Sequence, residues 1–460
     1  MLKIGLVKNL GEIDIKIPFG GDLRDIYGRK AKIFKNGDDF HWSLSAEVAF
    51  LNQQAKSKNR KQKKFEGFIG KKFYIISRGP LTFKGKSYQG IFLLFFKNEG
   101  VQIINFVRLE DYTKGVLRGE IGSLAPIETL KTQAILARTY GMANLKKHGS
   151  DGFDLCASEH CQVYLGASAE RPSITQAVDS TRGIVMGYGS QLASPMYHST
   201  CGGYTTSNDE VYGGKAVPYL RRVKCDYCSK GINYRWTRLI PNDLLKKRLA
   251  SEKIFFNRIY SATVESPAQL DRVKNVVIVT DRGRFSVKGT TFRRIFSLPS
   301  STFMVSGLSE DNSKLALRAD LQVPLASKQG KTSFEIIPVL ADLSKINGKD
   351  PAGFIIASRN GLKRIARPKG GWKVIIAGVQ SNFSRKSIPE KGLDIKSPGR
   401  VLLNKGQSTG EALLRIIGRG YGHQIGMCQS GAIEQGKLNW SYRRILPFYY
   451  HGVCLMRLRY

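Results

Sequence analysis

Residues 125–147 read APIETLKTQAILARTYGMANLKK, and this stretch decides the fold class. Pro126 suits the first turn of a helix, where its missing N–H has no intrahelical partner to lose. Ile127, Leu130, Ala134, Ala137 and Gly141 follow at helical spacing, which predicts one long amphipathic helix to about Lys147. Residues 1–105, on its N-terminal side, are short alternating or apolar runs such as Phe73 to Ser77 and Gly90 to Phe96. Glycines and lysine-rich turns punctuate them, the pattern of a β-rich lobe. A Cys- and His-bearing stretch from His148 to Tyr164 comes after the helix, then mixed short elements to about Phe303. Residues 306–411 carry further short β-type runs, among them Phe354 to Ala357 and Trp372 to Ile376, and read as an inserted β subdomain. A Gly-rich segment from Gly418 to Gly426 precedes a predicted helix from about Cys428 to Gly436. The expected fold is α+β: a β-rich N-terminal lobe (1–105), a core built from 106–305 and 412–460 around the long helix, and the 306–411 insertion. A length of 460 residues fits two or three domains.

The composition is that of a globular chain, with 42% hydrophobic and 24% charged residues. Its charge is unusual: 73 Lys and Arg against 36 Asp and Glu give a formal +37, which implies an anionic partner. Because the basic residues are spread along the chain, they are no nucleic-acid fingerprint. The densest run, Lys56 to Lys64 (KSKNRKQKK), reads as a solvated loop or hairpin tip. The start, Met1 to Leu6, runs into a strand-like segment without the apolar core of a secretory signal. The longest apolar stretch, Ile91 to Phe96, is far short of a membrane span and reads as a buried strand.

Three groups of residues suggest chemistry. Glu120 is followed by Ile121, Gly122, Ser123, Leu124 and Ala125, a small and apolar setting in which desolvation would raise its pKa toward that of a general acid. The blander reading is a surface Glu favoured near a helix N-terminus. Arg138 would position substrate or hold Glu120, or simply be exposed. His148, Cys156, His160 and Cys161 have the spacing H-x7-C-x3-H-C, suited to a tetrahedral two-sulfur, two-nitrogen zinc site or to a buried thiol pair with satisfied histidines. Cys201, Cys225 and Cys228 include a C-x2-C pair that suits zinc, redox chemistry or a disulfide, with no fourth ligand assigned. Cys428 and Cys454 read as small hydrophobes.

Two glycine-bounded loops, Tyr197 to Gly203 (YHSTCGG) and Gly418 to His423 (GRGYGH), each bring a His and a Tyr where a ligand can approach closely. Neither has the strand-to-helix context of a dinucleotide site. No G-x-S-x-G elbow accompanies His198 and Ser199.

Together these segments form an ordered series: LEDYTKGVLRGEI, LKTQAILARTY, DLCASEHCQVYLG, PMYHSTCGGYTTSNDEVYGG, VPYLRRVKCDYC and GRGYGHQIGMCQSGA. The series resembles the SpoIID/LytB family, which comprises stage II sporulation protein D and the amidase enhancers, over about residues 100–305 and 412–460. The resemblance implies a lytic transglycosylase acting on peptidoglycan glycan strands that lack stem peptides or are otherwise modified. It places Glu120 as the essential acid/base, with Arg138, Gln162, Tyr197, His198, Tyr421, His423 and Gln429 lining the cleft. It also implies a structural zinc ion on His148, Cys156, His160 and Cys161, and a periplasmic or extracellular location. The amidase enhancer members imply a cell-wall amidase as a further partner. Three sequence features depart from the typical sporulation protein: the 306–411 segment has no counterpart there, HQIGMCQSG lacks the usual second Gly after His and the aromatic residue before the last Gly, and the expected signal peptide is missing.

A lysozyme-like hydrolase would need a second carboxylate, for which Asp111, Glu128, Asp209 and Glu210 are candidates. Two rival functions are compatible with the same residues: a non-catalytic wall-binding amidase enhancer and, more remotely, a zinc-bearing nucleic-acid binder.

Overall fold

The computed structural model describes residues 1–44, 48–52, 62–66, 68–266, 272–309 and 413–459, together with six strands between 317 and 382. It shows the expected α+β class, with helices and several separate sheets. The chain divides into two compact units, one of Met1–Trp236, Pro299–Thr302 and Gly418–Tyr460, the other of Thr237–Leu298 and Phe303–Ile417.

The first unit begins with twelve strands: β1 (Leu2–Leu10), β2 (Glu12–Ile17), β3 (Gly21–Asp25), β4 (Lys30–Phe34), β5 (Asp38–Ser43), β6 (Val48–Asn52), β7 (Gln62–Glu66), β8 (Lys72–Ser77), β9 (Leu81–Phe83), β10 (Lys86–Tyr88), β11 (Ile91–Lys97) and β12 (Gly100–Val107). With β13 (Leu155–Cys156) they form two sheets, ordered β13-β1-β12-β11-β8-β3-β4 and β10-β9-β2-β5-β6-β7. β2 alternates strictly, burying Ile13, Ile15 and Ile17, as a strand with one wet face should. β11 and β12 are buried on both faces. Phe92, Leu94 and Phe96 enter the main core beside Val101 and Ile103, and Leu93 and Ile104 pack with Phe153 on the other side. The Lys56 to Lys64 run falls mainly in residues 53–61, outside the described residues, and enters β7, which pairs antiparallel with β6.

Two helices cross the main core: α1 (Leu109–Ile121) and α2 (Ile127–Ala143), the latter a shortened version of the predicted helix. α1 is an addition to the elements expected from the sequence. Leu109, Tyr112, Thr113, Val116 and Leu117 form its buried face, at helical spacing, while Gly115 and Gly119 lower its intrinsic propensity. Those glycines serve packing. A Cβ at Gly115 would lie 2.4 Å from the Tyr164 ring, and one at Gly119 would lie 2.7 Å from the Val163 carbonyl oxygen. The smooth stripe lets residues 162–165 lie against α1, where Leu165 N–H donates to Gly115 O at 2.9 Å. α3 (Pro172–Ser180) packs against α1 and α2. Near the C-terminus, Met427–Cys428 pairs in parallel with Tyr197–His198, and a helix covers Gln429–Lys437.

The second unit holds an antiparallel sheet of Ile259–Glu265, Asn275–Thr280 and Gly283–Lys288, with helices Asn242–Ala250 and Gly289–Ile295. Within the 306–411 stretch, Leu317–Leu325, Ser333–Ala341, Lys373–Ile376 and Val379–Asn382 make a four-stranded sheet, and Phe354–Ser358 pairs with Gly361–Ile365. The rest of 310–412 lies outside the described residues.

Candidate active site

Glu120 sits in the last turn of α1 rather than before the start of a helix, so the helix N-terminus reading does not apply. Gly122, with φ of 78°, ends the helix two residues later. The carboxyl is half-buried and accepts the Val163 backbone N–H at 2.7 Å, a contact that depends on the glycine stripe beneath it. The Tyr197 hydroxyl also acts on it, drawing its pKa down as a donor would. Burial raises its pKa, the Val163 and Tyr197 hydrogen bonds pull the other way, and the negative charge of Glu159 adds to the rise. The net shift is upward, and among the described residues no Lys or Arg is ion-paired with Glu120.

The polar groups behind Glu120 form a directed chain. The Tyr112 hydroxyl donates to Gln162 Oε1 at 2.8 Å, and Gln162 Nε2 donates to the Tyr197 hydroxyl oxygen at 2.8 Å. With its oxygen already accepting, Tyr197 has its own proton to give to Glu120. Burial holds Tyr112 and Tyr197 well above the usual tyrosine pKa, so both stay neutral donors. Gln429 Nε2 donates to the Glu120 backbone carbonyl at 3.0 Å, which fixes the end of α1 from the other side.

His198 is buried, and its Nδ1 lies 3.1 Å from Ile425 O. A carbonyl only accepts, so Nδ1 carries the proton and Nε2 is a bare acceptor, buried without a hydrogen-bond partner in the protein. Desolvation lowers the pKa to about 4, and the Ile425 carbonyl only partly offsets it; the imidazole is neutral. The His423 ring lies 5.7 Å from the His198 ring, and its Nδ1 accepts the Ile425 N–H at 3.0 Å. Tyr421 is exposed, and its backbone pairs with that of Thr200.

Arg138 does not join this group. Its side chain is completely buried, gripping the Glu110 carboxylate through Nε at 3.1 Å and Nη2 at 2.7 Å and donating to the carbonyls of Ile184 and Val178. Glu110 also accepts the Gly183 N–H at 3.0 Å. An arginine whose donors point into such a network ties α1, α2 and the 178–184 segment together and has no face for a substrate. Three of the four second-carboxylate candidates are occupied elsewhere too. Glu128 pairs with Lys131 and accepts the Tyr442 N–H, Asp209 pairs with Arg221, and Glu210 closes a capping box with Ser207 and accepts from Thr206. The carboxylate whose field reaches Glu120 is Glu159, which the sequence offered no reason to single out.

The four donor atoms of His148, Cys156, His160 and Cys161 all lie within 4.8 Å of one another. Cys161 Sγ is 3.4 Å from His148 Nε2 and 3.7 Å from His160 Nδ1, and Cys156 Sγ is 3.7 Å from His160 Nδ1. A tetrahedral ion about 2.3 Å from sulfur and about 2.0 Å from nitrogen needs edges of about 3.5 Å, so the set fits zinc chemistry. Asp151 accepts from His148 Nδ1 at 3.3 Å, the outer contact that turns Nε2 toward an ion. At Cys156, burial opposes the thiolate, but hydrogen bonds led by Ser158 outweigh it and bring the pKa to about 7. In the other thiol group Cys428, read as a plain hydrophobe, stands with Cys201, Cys225 and Cys228.

Residues 97–188, which contain Glu120, Gln162 and the His148 group, match the family profile "SpoIID: Stage II sporulation protein". The chain is 26% identical over 443 residues to an uncharacterized protein of Brachyspira hyodysenteriae, covering 96% of this chain and 90% of that one. It is 28% identical over 342 residues to the amidase enhancer of Bacillus subtilis, covering 74% of this chain and 40% of that protein. With stage II sporulation protein D of the same organism it shares 29% identity over 217 residues, 44% of this chain and 61% of that one. The chain thus spans less than two thirds of the length of these two Bacillus relatives.

Proposed function

Because the chain belongs to the family of stage II sporulation protein D and the amidase enhancers, we propose that it is a peptidoglycan lytic transglycosylase with Glu120 as its acid/base. The observation that carries this reading is a half-buried carboxyl, free of any paired cation among the described residues, whose pKa is raised by desolvation and which faces a neutral tyrosine donor. A carboxyl so placed is protonated at a higher pH than usual and donates to a leaving group.

The chemistry balances on that one group. Glu120 gives its proton to the glycosidic oxygen as the bond from the muramyl anomeric carbon breaks. The carboxylate then takes the proton of the muramyl C6 hydroxyl as that oxygen bonds to the same carbon, leaving an anhydromuramyl end. Val163 N–H and Tyr197 O–H stabilise the carboxylate between the two transfers. When bound, a zinc ion on His148, Cys156, His160 and Cys161 would act structurally, holding the loop that leads into Gln162 and Val163.

The +37 charge supports an anionic polymer such as the cell wall, where stem carboxylates and associated polyanions concentrate this protein by long-range attraction. No helix among the described residues is long and apolar enough to cross a membrane. A periplasmic or extracellular location follows from the proposed substrate. Strands without stem peptides, or with modified sugars, remain the substrate form that the resemblance implies.

A second reading is favoured by Glu159, whose charge acts on Glu120 and which would serve a hydrolytic mechanism as the second carboxylate. A third, favoured by the name of one relative, is a wall-binding module that stimulates a separate amidase. Mass spectrometry of purified glycan strands, with and without stem peptides, separates them. Anhydromuramyl ends made by the native chain and not by Glu120→Gln support the lyase. Reducing ends that vanish with Glu159→Gln mean hydrolysis, and no Glu120-dependent product leaves the binding module.

A further inference from the structure

Four thiols that the proposed reaction does not use meet inside the first unit. Cys201, Cys225, Cys228 and Cys428 are buried, and their sulfur atoms all lie within 4.8 Å of one another. Cys201 and Cys228 approach to 3.3 Å, well beyond the S–S bond length of about 2.05 Å, and none of the seven cysteines is in a disulfide. A tetrahedral ion bonded to four thiolates at about 2.3 Å requires sulfur–sulfur edges of about 3.8 Å, which falls within this spread.

Several hydrogen-bond donors point at the sulfur atoms. Cys201 N–H and Gly431 N–H donate to Cys428 Sγ at 3.2 and 3.4 Å. Cys428 caps the helix Gln429–Lys437, whose N-terminal dipole favours a thiolate. The Tyr449 hydroxyl lies 3.4 Å from Cys225 Sγ. These donors offset the net negative charge that four thiolates leave on a divalent ion. Gly431 keeps the space open, since a Cβ there would stand 2.6 Å from Cys225 Sγ. Gly202, with φ of 73°, and Gly203, with φ of 110°, turn the chain immediately after Cys201.

We propose that Cys201, Cys225, Cys228 and Cys428 bind a single thiophilic divalent ion of the zinc class, at a second site separate from the His148 group. The ion clamps the segments that build the candidate active site. Cys201 lies just beyond the Tyr197–His198 strand, Cys428 pairs with His198 in that ladder, and Cys428 directly precedes Gln429. Tyr197 and Gln429, which hold Glu120 from two sides, are thereby fastened to one centre.

The test is metal analysis of the purified full chain, with intact mass under non-reducing conditions. The expected result is two equivalents of zinc in the native chain, one in Cys225→Ser/Cys228→Ser and one in His148→Ala/Cys161→Ser. If the Cys225→Ser/Cys228→Ser chain does not fold, cobalt-loaded His148→Ala/Cys161→Ser protein supplies the answer: it should keep the strong sulfur-to-cobalt charge-transfer absorption of a four-thiolate site. A single equivalent in the native chain that disappears with His148→Ala/Cys161→Ser, or an intact mass showing disulfides among the four, overturns the proposal. Neither readout depends on glycan cleavage, so the ion and the reaction stand or fall separately.

Discussion

The two glutamates at the ends of α1 show how one helix carries a carboxylate locked to a cation and another left without a counter-charge. Glu110, in the first turn, is closed off by a fully buried Arg138 and the Gly183 N–H. Glu120, in the last turn, is less deeply buried and accepts the Val163 N–H, with no paired cation among the described residues. A guanidinium holds its partner charged and silent. Hydrogen bonds without a counter-charge leave the proton in play. The difference teaches that a paired cation, together with the depth of burial, sets the two carboxylates apart.

Exchanging the two roles by mutation breaks or sharpens this contrast. Glu120→Gln removes the transferable proton and should lower glycan cleavage by about 10²–10⁴-fold, read from anhydromuramyl products, in a chain that folds normally. Full activity would end the proposed role. Arg138→Met leaves Glu110 buried and unpaired, and chemical denaturation should show a loss of about 3–5 kcal/mol. Replacing both partners, as Glu110→Leu/Arg138→Met, should recover most of it; no recovery would mean that Arg138 does more than neutralise Glu110.

Tyr197→Phe tests the finer balance at Glu120. The Tyr197 hydrogen bond lowers the Glu120 pKa, so its loss lets desolvation raise the pKa further. Activity that needs the protonated acid is lost as pH rises through that pKa, so the alkaline limb of kcat/KM should move up, by about one pH unit for a hydrogen bond to a charged group. An unmoved limb would show that Tyr197 does not act on Glu120. The smallest expected effect concerns stability. A carboxyl whose pKa is raised on folding contributes stability that is full below the unfolded value, near 4.5, and lost as pH rises through the folded value. Glu120→Gln, which never ionises, should therefore match the native chain at acidic pH and exceed it above neutral by less than about 1 kcal/mol.

Much of this was legible residue by residue. α2 could be read because its apolar positions repeat at helical spacing behind Pro126. α1 could not, because Gly115 and Gly119 look like helix breakers until the chain at 162–165 is seen resting on them. The His148 group was visible because its four residues lie within a short stretch of chain, whereas Cys428 follows Cys201 only after more than two hundred residues. Nor could spacing tell that Arg138 would find Glu110, or that Glu159 would lie where its charge is felt at Glu120.

The sequence by itself determined the α+β class, the first strands and the long second helix, because periodicity, turn residues and local polarity act over a few neighbours, whereas Glu120 stood out only through the resemblance of its motif. Only the tertiary structure decided which glutamate receives the arginine, which tyrosine points its proton at Glu120 and which cysteine completes the thiol group. Those choices are set by contacts between segments far apart in the chain, where burial and charge pairing count and sequence distance does not.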